Sequence, residues 1–205
     1  MQKNVEIILV HTQLPENLGS AARGMLNFEF EKLRVVKPKF DMDNEKIIPV
    51  SAGADKVIRK ARSFEKLSDA IKDFNFVIGT TNRSRAIKKK EIKVKDFVSL
   101  ISNRKNKVAL IFGEEGKGLS TEELDKCDFL TTLPTWEGYP IANLSHAVNA
   151  FVYELHKYRV IKNQGMDRSI PDIVPLERTI SANLRDILVK AVEEMSDSLP
   201  GNAER

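Results

Sequence analysis

The sequence predicts an α/β fold built on a mainly parallel sheet with helices on both faces. The first observation is an alternation along the chain, in which short apolar runs of strand length are separated by segments of helical periodicity. The second is size and composition, because 205 residues that are 41% hydrophobic suffice for one sizeable core with an appendage. We therefore expect one main domain at residues 1–160, and a linker with a helical C-terminal extension at residues 161–205.

The first half of the chain supplies two strands and three helices. Residues 5–10 are an apolar run of strand length, and a proline soon after them favours a helix start, because its fixed φ suits the first helical turn. That helix is predicted over residues 15–28 and is followed by a second strand at residues 33–36. After a polar loop, further helices are predicted at residues 52–62 and 65–74.

The second half continues the alternation. Strands are predicted at residues 76–79, 107–112 and 129–133, with a polar helix at residues 121–126 before the last of them. From Asn143, a natural N-cap, apolar residues recur with the spacing of an amphipathic helix. Residues 162–175 are polar and contain a glycine and two prolines, which indicates a linker, and a last amphipathic helix is predicted at residues 180–195.

Charge is unevenly distributed along the chain. The net charge is only +4, yet residues 83–95 contain seven basic residues and one acid. Residues 114–137, in contrast, contain seven acids and two lysines. The basic segment is either a solvated loop or a loop that contacts phosphate, and two arginines directly after a predicted strand favour the second. The candidate RNA contacts in it are Arg83, Arg85, Lys88, Lys89 and Lys90.

Several classes of protein are disfavoured by composition. No apolar run is long enough to cross a bilayer, and the N-terminus lacks a secretory apolar segment, so a cytoplasmic protein is expected. The single cysteine, Cys127, has no partner for an internal disulfide and is expected to be a buried, inert thiol. The three histidines show no metal-ligand spacing, so no metal is expected.

A glycine-rich loop follows the strand predicted at residues 107–112. Its glycines, Gly113, Gly116 and Gly118, do not have the spacing of nucleotide-phosphate motifs, and two carboxylates lie inside the loop. A phosphate ligand is therefore disfavoured, whereas a cofactor that carries positive charge is compatible with these acids.

Three separated segments carry a specific resemblance: Asn17-Leu18-Gly19-Ser20-Ala21-Ala22-Arg23, then Phe112-Gly113-Glu114-Glu115-Gly116-Lys117-Gly118-Leu119, then Leu133-Pro134 with Tyr139-Pro140-Ile141-Ala142-Asn143-Leu144. In this order and at strand ends, they resemble the SpoU/TrmH branch of the SPOUT RNA methyltransferases, from about residue 5 to about residue 158. The resemblance implies a trefoil-knot α/β fold, a homodimer and S-adenosylmethionine as cofactor. It further implies methylation of an RNA ribose 2′-hydroxyl, in tRNA at an anticodon-loop nucleotide.

The resemblance also assigns residues to roles. The cofactor-binding loops would supply Thr80, Thr81, Asn82, Gly113, Leu133, Pro140, Ile141 and Ala142. The catalytic group would comprise Arg23, Asn17, Glu115 and Asn143, with Arg23 also contacting RNA. Arg23 would act either as the base or, since arginine keeps its proton at neutral pH, as a clamp on phosphate or hydroxyl. Glu115 would pair with Arg23 or anchor its loop, and Asn143 would cap its helix.

One departure from the family pattern leaves alternatives open. Ile141 stands where the family usually has a serine, two residues before Asn143, so a hydroxyl of the site is missing. The alternatives to a tRNA methyltransferase are an RNA-binding module without turnover and a 2′-O-methyltransferase acting on rRNA. Trp136 and Tyr139 would either stack on a base or pack at a subunit interface.

Overall fold

The computed structural model describes residues 4–82, 89–94, 96–97, 106–164 and 182–198. Its strands are β1 Val5–Val10, β2 Leu33–Val36, β3 Arg62–Phe64, β4 Phe76–Thr80, β5 Lys90–Glu91, β6 Val108–Phe112 and β7 Phe129–Thr131. Its helices are α1 Pro15–Asn27, α2 Ile47–Ser51, α3 Asp55–Arg59, α4 Leu67–Ile71, α5 Thr121–Asp125, α6 Leu144–Gln164 and α7 Ala182–Ser198. The predicted RNA contacts Arg83, Arg85 and Lys88 lie outside the described residues.

The seven described strands form one sheet in the order β3-β2-β1-β6-β4-β7-β5, and every neighbouring pair is parallel. Side chains of β1 alternate between two cores. Ile7 and Leu9 face a cluster that contains α1 and α6, whereas Ile8 and Val10 face a cluster that contains α4 and α5. Helices therefore cover both faces, and the predicted fold class is confirmed. The knot remains an implication of the resemblance.

The segment between β2 and β4 differs from the prediction. Over residues 52–62, where one helix was predicted, the structure has α3 and then the start of strand β3, which pairs with β2, and the unpredicted helix α2 precedes them. No helix begins at residue 52, because Ala52 and Gly53 both adopt left-handed backbone conformations, with φ of 44° and 89°. The helix predicted over residues 65–74 is the shorter α4.

The C-terminal part also differs from the prediction at one boundary. Helix α6 continues to Gln164, so the linker does not begin at residue 162. The chain divides into two compact units, residues 1–165 and 166–205, and α7 is the described helix of the second. The domain boundary at residues 160/161 remains a prediction. In the described part of the chain, no helix combines the length and the apolar character that crossing a membrane requires.

A buried arginine, Arg34, organises the amino end of the sheet. Its guanidinium is 1% exposed and donates to Glu6 Oε2 at 2.6 Å, to the Ala70 carbonyl at 2.7 Å, and to both carboxylate oxygens of Asp73 at 2.6 and 2.8 Å. The ring of Phe74 lies 4.4 Å from the guanidinium carbon. The apolar strand pattern gave no indication of this network.

The Asp73 carboxylate makes stability depend on pH. The hydrogen bonds from Arg34 are the main reason that the pKa of Asp73 is lowered from 3.8 to about 2. A group with a depressed folded-state pKa stabilises the fold above its unfolded pKa, and this contribution is lost as pH falls from about 4 towards 2. Urea unfolding midpoints at several pH values should show a weaker acid dependence in Asp73→Asn than in the wild type. Equal acid dependence in both proteins would contradict the assignment.

Candidate active site

A pocket lies at the carboxyl edge of the sheet, where the loops after β4, β6 and β7 meet. Parallel strands place these loop-bearing ends at one edge, which is where open α/β sheets bind ligands. All eight residues predicted to bind the cofactor line this one pocket: Thr80, Thr81, Asn82, Gly113, Leu133, Pro140, Ile141 and Ala142. The structure thus brings together loops separated by more than sixty residues in the chain, although their contacts to a cofactor remain a prediction.

The loop after β4 is tied to both of its neighbours. Thr80 donates its hydroxyl proton to the Ile111 carbonyl at 2.9 Å, and the Thr81 amide donates to the Thr131 carbonyl at 3.0 Å. Asn82 donates its side-chain amide to the Pro140 carbonyl and to the Thr135 hydroxyl. These bonds fix the loop after β4 against the long loop after β7 and so form one wall of the pocket.

The glycine loop after β6 folds back on itself. The Gly118 amide donates to the Glu114 carbonyl at 2.8 Å, and Gly116 and Gly118 have φ of 78° and 68°. A Cβ on Gly113 would lie 2.1 Å from the Leu119 nitrogen and 2.2 Å from the Gly118 carbonyl carbon. Glycine is therefore required at position 113 by the return of the loop.

Gly113→Ala is expected to displace the returning backbone and so to distort the pocket, since neither contact is with a flexible side chain. We expect the affinity for S-adenosylhomocysteine to fall at least about tenfold, which corresponds to about 1.4 kcal/mol. Isothermal titration would measure it. Gly53→Asn is a suitable control, because Gly53 also has positive φ and open space around it but does not line the pocket, and Asn tolerates positive φ. Unchanged affinity in Gly113→Ala would contradict the prediction.

Hydrogen bonds join the three segments that carry the resemblance. Asn143 Oδ1 accepts from the Ser145 amide at 2.9 Å and from the Ser145 hydroxyl at 2.7 Å, so its Nδ2 is the donor to Asn17 Oδ1 at 3.0 Å. Asn17 Nδ2 in turn donates to Glu115 Oε1 at 2.8 Å. The other oxygen of Glu115 accepts from the backbone amide of Gln13 at 2.9 Å. The N-terminus of α6, helix α1 and the glycine loop are therefore held in one polar chain.

This polar chain shows what Glu115 and Asn143 contact within one chain, and their catalytic roles remain predictions. Glu115 anchors its loop through Asn17 and Gln13, and Asn143 caps α6 through the amides of Ser145 and His146. Arg23 is exposed, and its side chain makes no hydrogen bond or ion pair within the described residues. It is not among the residues that line the pocket. The structure of one chain thus joins three of the four predicted catalytic residues in the polar chain, and Arg23 is not part of it.

Other predicted contacts have differing surroundings. The Lys89 ammonium donates to the Asp125 carbonyl at 2.8 Å and to the Cys127 carbonyl at 2.9 Å, at the C-terminal end of α5, whereas Lys90 is exposed. Burial raises the pKa of the Cys127 thiol to about 12, which fits an inert group.

Trp136 and Tyr139 are 77% and 79% exposed on the loop before α6. Their roles toward RNA remain predictions.

Thr131 is among the pocket residues that were not predicted from the sequence. Thr131, the last residue of β7, is 2% exposed and lines the pocket. Its hydroxyl has no hydrogen-bond partner among the described residues. A threonine at the end of a short strand carries no sequence signal for such a position, because burial of its hydroxyl depends on loops from elsewhere in the chain.

The fold and the joined segments define the class, a SPOUT-type α/β methyltransferase. The chain belongs to the SpoU rRNA methylase family, whose model matches residues 4–153. It is 35% identical over 196 residues to "tRNA (cytidine-2′-O-)-methyltransferase TrmJ" of Methanocaldococcus jannaschii, covering 94% of this chain and 81% of that protein. It is 33% identical over 192 residues to the protein of the same name from Sulfolobus acidocaldarius, covering 90% of this chain and 77% of that protein.

Solved structures agree with this membership. TrmJ from Z. mobilis ZM4 superposes with a TM-score of 0.71 at 30% identity, covering 94% of this chain and 79% of that one. The SpoU methyltransferase AviRb from Streptomyces viridochromogenes, solved in complex with AdoMet, has a TM-score of 0.61 at 19% identity, covering 76% of this chain and 60% of that one. At that identity the second comparison shows a shared fold alone.

Proposed function

We propose that this chain is an S-adenosylmethionine-dependent methyltransferase that modifies a ribose 2′-hydroxyl of tRNA. The observation that carries the proposal is the polar chain from Ser145 to Gln13, which joins the three segments beside the pocket. Family membership supports the reaction type, and the names of the relatives from M. jannaschii and S. acidocaldarius support tRNA as substrate. An anticodon-loop cytidine or uridine is the proposed nucleotide, in keeping with relatives named tRNA (cytidine/uridine-2′-O-)-methyltransferase.

The residues of the pocket fit S-adenosylmethionine. The buried part of the pocket is mostly apolar and suits an aromatic base, since Phe112, Leu119 and Phe151 are each 2% exposed. The carboxylates of Glu114 and Glu115 line the same pocket and suit a cationic ligand, whereas they would repel a phosphate. When bound, the cofactor supplies a methyl group on a positively charged sulfur. The residues of the chain must bring the ribose hydroxyl into line with it and exclude water.

The polar chain provides a rigid edge for that alignment. Because each side-chain nitrogen and oxygen of Asn143, Asn17 and Glu115 has a hydrogen-bond partner, these side chains have little freedom to reorient. Arg23 would supply a positive charge to the site. Its planar guanidinium would hold the phosphate or the hydroxyl of the target nucleotide. The basic residues at 83–90 would extend the contact along the RNA backbone.

The position of Arg23 supports a homodimer with shared active sites. Arg23 is exposed and is not among the residues that line the pocket, and we propose that it acts on the pocket of a second copy. Exposed apolar residues near the segments of the site would pack against that copy: Leu14 is 52% exposed and Ile141 is 55% exposed. We place this homodimer in the cytoplasm, with its substrate, and expect it to need no metal.

The proposal is tested by incubating the protein with labelled S-adenosylmethionine and either unmodified tRNA or rRNA. Label in tRNA that is recovered as a 2′-O-methylated nucleoside by mass spectrometry is the expected result. Label only in rRNA would identify an rRNA methyltransferase. Tight RNA binding without label would identify a non-catalytic RNA-binding module, which the exposed Ile141 at the missing serine position favours as the second candidate.

A further inference from the structure

The side-chain hydroxyl of Thr131 stands out among the polar groups of the pocket. Its neighbours already have partners: Thr80 donates to the Ile111 carbonyl, and Thr135 donates to the Pro140 carbonyl. Thr131 Oγ1 is buried and has no partner within the described residues. An unpaired buried hydroxyl destabilises a folded protein, and each such group in a native structure calls for an explanation.

We propose that Thr131 is a specificity residue whose hydroxyl hydrogen-bonds the adenosine part of the methyl donor. This inference rests on the proposed function and names a contact that the resemblance does not assign. Thr131 lines the pocket, next to the space a ligand would fill, whereas solvent reaches only 2% of the residue. The ligand thus completes a hydrogen bond that the protein alone leaves unmade.

The surroundings of Thr131 select the adenosine part over the amino-acid part. The other deeply buried lining residues are apolar, namely Phe112, Leu119, Leu144 and Phe151. Burying an ammonium and a carboxylate among these side chains would cost much more than burying a neutral purine ring. The exposed lining at Lys117 offers the charged end of the ligand contact with water.

The chain offers a matched control in Thr12. Its hydroxyl is also buried, at 0% exposure, and also unpaired within the described residues, but Thr12 does not line the pocket. Valine in place of either threonine keeps the branched shape and removes only the hydroxyl. Thr131→Val and Thr12→Val should therefore both be at least as stable as the wild type in urea unfolding, because each removes an unpaired buried polar group. Only the first should change ligand binding.

The test is calorimetric titration with S-adenosylhomocysteine and with 5′-methylthioadenosine, which lacks the amino-acid part. Thr131→Val should weaken binding of both compounds by about 3- to 10-fold, the range expected for one hydrogen bond. Thr131→Ser, which keeps the hydroxyl, should bind within about twofold of the wild type. Thr12→Val should bind as the wild type does.

Four results would overturn the inference. Equal affinity of Thr131→Val and the wild type, or equal weakening in Thr12→Val, would show that the hydroxyl makes no contact with the ligand. Weakening for S-adenosylhomocysteine alone would place the contact on the amino-acid part. If the wild type bound neither compound, the proposed function would fall together with this inference. In the other three outcomes the wild type still binds, so the two kinds of failure can be told apart.

Discussion

An Arg23→Ala variant is expected to lose at least about 100-fold in methyl transfer to tRNA while keeping its fold and its affinity for S-adenosylhomocysteine. Removing one charged donor that acts only as the reaction proceeds typically costs about 10²- to 10³-fold in rate. Arg23 is exposed and pairs with no group among the described residues, so its loss should leave unfolding by urea unchanged. Single-turnover transfer, calorimetry and urea unfolding measure the three quantities.

Arg23→Lys separates the clamp from a simple charge effect. Lysine keeps the positive charge but lacks the planar fork, so a bidentate contact would be lost and activity should recover only in part. Full recovery in Arg23→Lys would indicate that charge alone is needed. Activity of Arg23→Ala close to that of the wild type would remove Arg23 from the site.

Mixed dimers test whether Arg23 acts on the partner's pocket. One subunit carries Arg23→Ala and the other carries Gly113→Ala, which distorts its pocket. If Arg23 acts across the interface, the mixed dimer contains one complete site and should show about half of the wild-type activity at a cofactor concentration below the dissociation constant of Gly113→Ala, where each parent homodimer is much less active. If Arg23 acts within its own chain, the mixed dimer should be inactive. Purification through two different affinity tags keeps parent dimers out of the assay.

The sequence indicated the fold best where a strand is mostly apolar. Strand β1 and strand β2 begin and end where they were predicted, because buried parallel strands appear as short apolar runs. Strand β3 was missed, since three residues with two exposed side chains have no such pattern. Helix α2 was missed because it contains Pro49, which is tolerated there only because it lies in the first turn.

The candidate site was predictable to the extent that it depends on loop order. Resemblance alone placed the cofactor loops, and parallel topology explains why they meet at one edge. The Asn17–Asn143 hydrogen bond joins residues 126 positions apart, and its donor and acceptor follow from the cap of α6. The unpaired Thr131 hydroxyl depends on packing of three separate loops, so local sequence patterns could not show it.

Arg34→Met is expected to destabilise the fold by about 3 kcal/mol, the largest stability effect predicted here for a single residue. Removing one partner of a buried ion pair typically costs about 3–5 kcal/mol, because the remaining charge stays buried without compensation. Glu6, with a side chain that is 12% exposed, keeps Arg62 at 3.1 Å and Lys32 at 3.9 Å, which favours the lower end of this range. Methionine keeps much of the side-chain volume, so a cavity contributes little.

Arg59→Met is the control for this measurement. Arg59 pairs with Asp55 four residues away on α3, but its side chain is 71% exposed, and such pairs contribute about 0.3–0.5 kcal/mol. Urea unfolding at neutral pH should therefore separate the two variants by more than 2 kcal/mol if burial and the bonds to Glu6, Ala70 and Asp73 make Arg34 a structural centre. Similar small losses in both variants would mean that replacing the guanidinium by an apolar side chain relieves enough desolvation to offset the lost bonds. The amino end of the sheet would then depend on its apolar contacts.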